Sequence, residues 1–377
     1  MENSYMAAVV ALGTATPDRE VLMEAYARNY GDNMGLPPDQ ILLAERICSK
    51  AGIGRKYLAI PFERYSEESP NDFPRLNKRL AWYEEEAVGL AEKAARQAIE
   101  EWGGLLYEIT HIIVYSTSGA LSPGLDLRLI KRLGLSSSTK HFWVAFNGCH
   151  AGIMGLRTAA EIARGAGPAT RVLVVWVEIN SCQAQSSDPA SSPANNIVVA
   201  SIFGDGSAAA IVAHPSYSTS ASSSPPIPHL FEVQDATSDY IDGPESAEAI
   251  VARVRETGLY AGLSKQVPEL IEAHVDAFSS GMLEDMQLTY NSVNWIVHPG
   301  GRAIVDAVQN GCHLQDNQLE LSRKILNDYS NMGAPTIIFT LKLLHAEHVK
   351  CRKSLEWVFA LAFGPGISME GMILRLP

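Results

Sequence analysis

Three residues of this chain have the types and neighbours that nucleophilic acyl chemistry needs: Cys149, His298 and Asn331. Cys149 follows an apolar run at 142–146 that breaks at Asn147-Gly148, and a helix of small residues opens after it. A thiol at a helix mouth faces free backbone N–H groups and the positive end of the helix dipole, which favour the thiolate. A nearby imidazole lowers the thiol further by forming a thiolate–imidazolium pair. His298 ends the apolar strand Trp295-Ile-Val297, and Pro299-Gly-Gly301 after it leaves backbone room for a ligand. Asn331, in Ser330-Asn-Met-Gly333, precedes a helix that it can cap while its amide donates to a substrate oxygen. Taken singly, each has a plainer reading: a structural thiol, a hydrogen-bonded histidine, an N-cap. Together they suggest a Cys–His–Asn site for thioester chemistry.

The elements that must position these residues alternate in type. Apolar runs predict strands at 6–13, 111–116, 141–146 and 171–178, with helices at 18–30, 38–51, 80–102, 124–133 and 150–165. The helix at 80–102 is the clearest, with Leu80, Tyr83, Ala87, Leu90, Ala91, Ala94 and Ala98 on one stripe. Residues 180–195 are polar and rich in Pro and Ser and read as a long loop. Ile202-Phe-Gly-Asp-Gly206 leads into the apolar run Ala208–Ala213, and Asp205 there reads as a turn residue. The low-complexity segment 215–228 reads as an exposed connection between two halves, 1–214 and 229–377. The second half predicts a strand at 229–234, a mixed segment at 247–262, and a helix at 267–279. Beyond it lie a strand at 293–297, helices at 301–309, 318–329 and 332–347, and closing strands at 355–362 and 368–375. This order implies an α/β fold with parallel strands and crossover helices.

Composition narrows the classes. The chain has 377 residues, 46% of them hydrophobic, with a net charge of −12. That balance argues against nucleic acid and against a polybasic membrane surface. No signal peptide is evident at the N-terminus, and no apolar run is long enough for a membrane span. Five cysteines without CxxC spacing fit reduced thiols in a cytoplasmic protein better than a disulfide framework or structural zinc. His345-Ala-Glu-His348 is not a metalloprotease motif and reads as an exposed helix end, so no metal site is expected. Phosphate-binding glycine motifs and a GxSxG elbow are missing.

The ordered set Asn147-Gly-Cys149-His-Ala-Gly152, Phe203-Gly-Asp-Gly206, His298-Pro-Gly-Gly301, Asn331-Met332 and Phe363-Gly-Pro-Gly366 resembles the type III polyketide synthases, the chalcone and stilbene synthase-like branch of the thiolase fold. The resemblance spans nearly the whole chain and is closer to a fungal or microbial member than to a plant chalcone synthase. It implies a thiolase-like five-layered αβαβα fold from two similar halves, a homodimer, and CoA thioesters as substrates with no cofactor. It further implies that Cys149 carries the acyl starter, that His298 keeps its thiolate ionised, and that His298 and Asn331 stabilise the enolate left when malonyl-CoA loses carbon dioxide.

The substrate-binding set implied by the resemblance is Phe203, Thr117, Ser118, Val199, Ala252, Ala261, Gly333, Arg46, Lys50 and Arg302. Phe203 matches the gating aromatic between CoA tunnel and cavity. Arg46 and Lys50 match two CoA-phosphate contacts; Leu43 stands where a third is usually basic, and Arg302 is the candidate to compensate. Ala261 replaces a second gating Phe, Gly333 a Ser, Ser122 a Met that crosses the dimer interface, and Val199 and Ala252 replace glycines. These departures imply a roomy apolar cavity, aliphatic acyl starters, and α-pyrone or alkylresorcinol/resorcylic-type products. The rivals are a ketoacyl-carrier-protein synthase III, a papain-like peptidase and a non-catalytic protein that kept the fold.

Overall fold

A computed structural model describes residues 5–68, 74–185, 192–217, 229–351 and 355–377. The first half runs β1 (Ala7–Ala15), β2 (Glu20–Leu22), α1 (Met23–Asn33), α2 (Pro38–Cys48), β3 (Arg55–Tyr57), α3 (Phe62–Glu68), α4 (Leu76–Trp102), β4 (His111–Ser116), α5 (Leu125–Leu133), β5 (Lys140–Ala145), α6 (Ala151–Ala166), β6 (Arg171–Glu178), α7 (Pro193–Ile202) and β7 (Gly206–Ala213). The second runs β8 (Phe231–Tyr240), α8 (Pro244–Ala247), β9 (Ile250–Arg255), β10 (Gly258–Leu263), α9 (Val267–Asp285), β11 (Val293–Val297), α10 (Arg302–Gly311), α11 (Glu320–Tyr329), α12 (Pro335–Cys351), β12 (Trp357–Gly364) and β13 (Ser368–Arg375).

Nine strands form one sheet in the order β11-β12-β13-β8-β1-β7-β6-β4-β5. β4 runs parallel to both β5 and β6, and β11 runs parallel to β12. β1 pairs with β7 from Ala8 to Ala15 but with β8 only over Ala7–Val9, so the two halves of the sheet meet along a short seam.

Strand composition dictates the layers. β6 is buried at every position, which requires cover on both faces. Alternation sends Val172, Val174 and Trp176 into a central core, and Leu173, Val175 and Val177 into an outer one. β12 does the same in the second half: Val358, Ala360 and Ala362 face the central core, and Phe359, Leu361 and Phe363 a third. α6 and α12 fill the centre through Ile153, Leu156, Ile337 and Leu341. α4 covers the outer face of the first half, and α9 and α10 that of the second. The result is the five-layered αβαβα arrangement of the thiolase fold.

Four segments differ from expectation. The helix expected at 18–30 is preceded by β2, which pairs with β3. The stretch expected as a loop over 180–195 contains a 3-10 turn at Asn180–Gln183 and the start of α7, and 186–191 lie outside the described residues. There Ser192 Oγ accepts from Asn195 N and Pro193 opens the helix, so the Ser/Pro composition marks a helix start. The mixed segment 247–262 is chiefly the β9–β10 hairpin. The helix expected from 332 begins at Pro335, because Asn331 is held extended in a parallel bridge to Phe203. Most of the connection expected at 215–228, namely 218–228, lies outside the described residues.

Candidate active site

The parallel strands deliver their polar residues at one end, as open α/β sheets do. β4 leads into Thr117 and Ser118, β5 into Cys149, β6 ends on Glu178, and β11 leads into His298. These residues, with Asn331, line one cavity of about 770 Å³.

The turn ahead of Cys149 depends on glycine. Gly148 has φ +73°, and a Cβ there would lie 2.6 Å from Pro365 Cδ. Gly148 N donates to Thr117 Oγ1 at 2.9 Å, which ties the nucleophile's loop to the end of β4. Cys149 Sγ lies 3.8 Å from Asn331 Nδ2. That amide also donates to Gly300 O at 3.0 Å, and Gly333 N donates to Asn331 Oδ1 at 2.7 Å. Asn331 is therefore not an N-cap with an idle amide. Its side chain is fixed at both ends, with Nδ2 3.8 Å and Oδ1 3.9 Å from the sulfur. His298 is 1% exposed, and both its ring nitrogens are buried without a hydrogen-bond partner among the described residues. Such orphaned groups cost stability, and they persist where function uses them.

The expected lowering of the Cys149 thiol is opposed by its burial. Burial pushes the thiol up to about 12; the Asn331 hydrogen bond lowers it, and the Glu178 carboxyl raises it further. Burial pushes the His298 imidazole down to about 3, with His150 adding a like-charge effect. Desolvation is the largest influence on both groups. Each shift opposes the charged form of its own group taken alone; a thiolate beside an imidazolium offsets both, and the unprotonated His298 ring nitrogen is the base available to the thiol.

Glu178 is the site residue that sequence reasoning missed. Thr117 N donates to its Oε1 at 2.9 Å and Ser118 N to its Oε2 at 2.8 Å. Burial nevertheless raises its carboxyl to about 7. Its position as the lone acid at the carboxyl end of an otherwise apolar parallel strand was the available signal.

Phe203 follows α7 and is locked to Asn331: Gly204 N donates to Asn331 O at 3.0 Å, and Asn331 N to Ile202 O at 3.2 Å. A fully buried lysine secures this end of the helix. Lys56 Nζ donates to Ala200 O, Ser201 O and Phe203 O at 2.8, 2.9 and 3.0 Å, and sits 3.8 Å above the Tyr26 ring. Asp205 is a structural acceptor, bonded by Ala59 N at 2.7 Å and by both the N–H and the hydroxyl of Ser181.

Every other expected residue also lines the cavity: Val199, Ala252, Ala261, Gly333, Arg46, Lys50 and Arg302. Ala252 and Ala261 are direct cross-strand partners in the β9–β10 hairpin. Gly333 has φ +74°, and a Cβ there would lie 3.1 Å from Glu178 Cγ, so a larger residue would press on that carboxyl. Arg46 and Lys50 are exposed on and just after α2. Arg302 is exposed, but its Nε lies 3.5 Å from Asp306 Oδ2, which takes part of its charge. The His345 ring of the expected exposed helix end packs edge-on to Phe231 at 5.9 Å. Among the described residues, no group of three His, Cys, Asp or Glu is placed to hold a metal, and no helix is long and apolar enough to cross a membrane.

A thiol, an imidazole and a carboxamide converging in a thiolase-type fold define an acyltransferase that condenses CoA thioesters. The chain belongs to the chalcone and stilbene synthase family, the type III polyketide synthases, which use CoA thioesters and need no cofactor. Residues 1–215 match the family's N-terminal domain and residues 232–377 its C-terminal domain. The chain is similar to a bisdemethoxycurcumin synthase of Oryza sativa subsp. japonica, 35% identical over 98% of this chain and 92% of the relative. It is also similar to type III polyketide synthase 10 of the same plant, 31% identical over 99% and 93%.

Proposed function

We propose that this chain extends an aliphatic acyl-CoA starter, short to fatty, with malonyl-CoA and cyclises the product to an α-pyrone or an alkylresorcinol/resorcylic-type compound. The observation that carries this reading is the cross-strand pair Ala252–Ala261, which puts only methyl groups at two facing positions of a largely apolar cavity, beside Leu259, Tyr260 and Leu263. At 35% identity the curcumin-type product named for the rice relative does not carry over.

The chemistry follows from the site. Cys149 Sγ attacks the starter carbonyl as its proton passes to His298; the S–C bond forms, and CoA leaves as a thiol on regaining that proton. Malonyl-CoA then occupies the site with its thioester oxygen facing His298 and the Asn331 amide. Loss of carbon dioxide places negative charge on that oxygen, where two preorganised donors are each worth on the order of a hundredfold in rate. The enolate carbon attacks the Cys149 thioester carbonyl, the Cys149 S–C bond breaks with Sγ leaving as thiolate, and the chain, two carbons longer, remains on the CoA that carried the malonyl group, from which Cys149 takes it up again for the next extension. Phe203 acts as the gate between CoA and the growing chain, and Arg46 and Lys50 meet the CoA phosphates with Arg302 beside them. The nucleophile thus comes from the half 1–214, and the histidine and asparagine from 229–377.

We infer a homodimer across the outer strand β5, whose Phe142 and following Phe146 are 47% and 42% exposed. The free thiols of Cys48, Cys149, Cys182 and Cys312 fit a cytoplasmic, reducing location. A screen of aliphatic and aromatic acyl-CoAs with free malonyl-CoA, read by mass spectrometry, tests the function. Extended aliphatic products are expected. Exclusive use of p-coumaroyl-CoA with chalcone formation would sink the starter assignment, and dependence on a carrier protein would favour the ketoacyl-synthase III alternative.

A further inference from the structure

The wall that carries Ala252 and Ala261 is not part of the main sheet. β9 and β10 form a separate two-stranded sheet, so among the described residues no neighbouring strand fixes its distance from the cavity's other side. Along the outer edge of β10, residues 259, 261 and 263 direct backbone groups away from β9. Such an edge needs partners, and here side-chain amides supply them. Asn195 Nδ2 donates to Ala261 O at 2.8 Å, and Leu263 N donates to Asn195 Oδ1 at 3.1 Å. One carboxamide therefore takes both hydrogen bonds that a residue of an adjacent strand would take. Further along, Leu259 N donates to Gln183 Oε1 at 2.9 Å.

The far end of the Asn195 clamp is rigid. Asn195 sits in the first turn of α7, where its own N–H is capped by Ser192 Oγ at 3.1 Å. The last turn of α7 is held by Lys56, and the chain then passes through Phe203 into the bridge with Asn331. α7 thus fixes the catalytic amide at one end and the hairpin wall of the cavity at the other. The lining side chains 252 and 261 carry only methyl groups, so the width of the cavity beside them depends on where the hairpin backbone is held.

We propose that Asn195 is a positioning residue that sets the gap between α7 and the β9–β10 hairpin, and through it the range of acyl chains the cavity takes. The proposal rests on reading the cavity as the acyl-chain site, not on the starter being aliphatic. Its test compares the parent with Asn195→Ala, which removes both hydrogen bonds, and Asn195→Gln, which keeps the amide on an arm one methylene longer. Relative kcat/KM is measured over a series of straight-chain and aromatic acyl-CoAs with malonyl-CoA, alongside Tm. Both variants are expected to change the ratio of kcat/KM between the longest and shortest accepted starters by about tenfold or more, the scale of one methylene of fit. The change should lie mainly in KM, with Asn195→Gln favouring bulkier chains. A parental starter profile in both variants, or an equal loss on every starter, would overturn it. If Asn195→Ala fails to fold, the Asn195→Gln profile alone decides. A parent that accepts only aromatic starters would instead refute the aliphatic reading and leave the clamp to the same comparison of ratios.

Discussion

At the scale of single residues, burial governs the acids and bases of the site. Cys149 has its thiol raised to about 12 and His298 its imidazole lowered to about 3, both by burial. Each charge is costly alone, so the thiolate is favoured only together with the His298 imidazolium that receives its proton. Decarboxylation needs no thiol, since the enolate is held by His298 and Asn331. Cys149→Ala is therefore expected to keep malonyl-CoA decarboxylation and lose condensation, whereas His298→Ala should lose at least a hundredfold in decarboxylation as well; carbon dioxide release and product formation measured on both variants separate the two steps. Glu178 makes a stability prediction with a definite sign. Its carboxyl moves from 4.5 to about 7 in the folded chain. A raised acid holds its proton more tightly when folded, so its contribution is fully present below pH 4.5 and is lost as pH climbs through about 7. The loss is on the order of 3 kcal/mol for a group this buried. Glu178→Gln should flatten the fall in stability between about pH 5 and 8, read as denaturant midpoints at each pH. A variant with the parent's pH slope would rule out Glu178 as its source.

At the scale of elements, the cavity lies between helix α7 and the β9–β10 hairpin that Asn195 ties to it. Refilling the wall with Ala261→Phe should cut kcat/KM for the longest starters by about tenfold or more while sparing the shortest, measured over the same acyl-CoA series. An unchanged profile would mean that acyl chains lie elsewhere. Much of this was legible in the sequence. The strands at 111–116, 171–178, 293–297 and 368–375 stand where the apolar runs put them, because strands buried on both faces read as continuous apolar stretches. Cys149, His298 and Asn331 were legible because each adjoins a glycine turn. α7 was not, because its start shares the Ser/Pro composition of a loop. Lys56 and Glu178 were not, because a buried charge among exposed ones looks the same in a sequence until its partners are known. The burial around Cys149 was not legible for a related reason: a helix mouth is visible in sequence, but the desolvation that opposes it is not.

At the scale of the whole molecule, one sheet carries two half-folds, and its β5 edge is open. Phe142 and Phe146 are exposed there, and Phe146 also lines the cavity. A partner copy across this edge would close the site on that side. Phe142→Lys is expected to convert a dimer to a monomer in light scattering, and a monomeric parent would contradict the assignment. The account as a whole stands on Cys149 carrying an aliphatic acyl group. That is tested most directly by incubating the protein with a fatty acyl-CoA, without malonyl-CoA, and mapping the adduct by peptide mass spectrometry. The predicted result is one acyl group on the peptide containing Cys149, missing from Cys149→Ala. An acyl group on Cys48, Cys182 or Cys312 instead, or no adduct with any aliphatic starter, would contradict it.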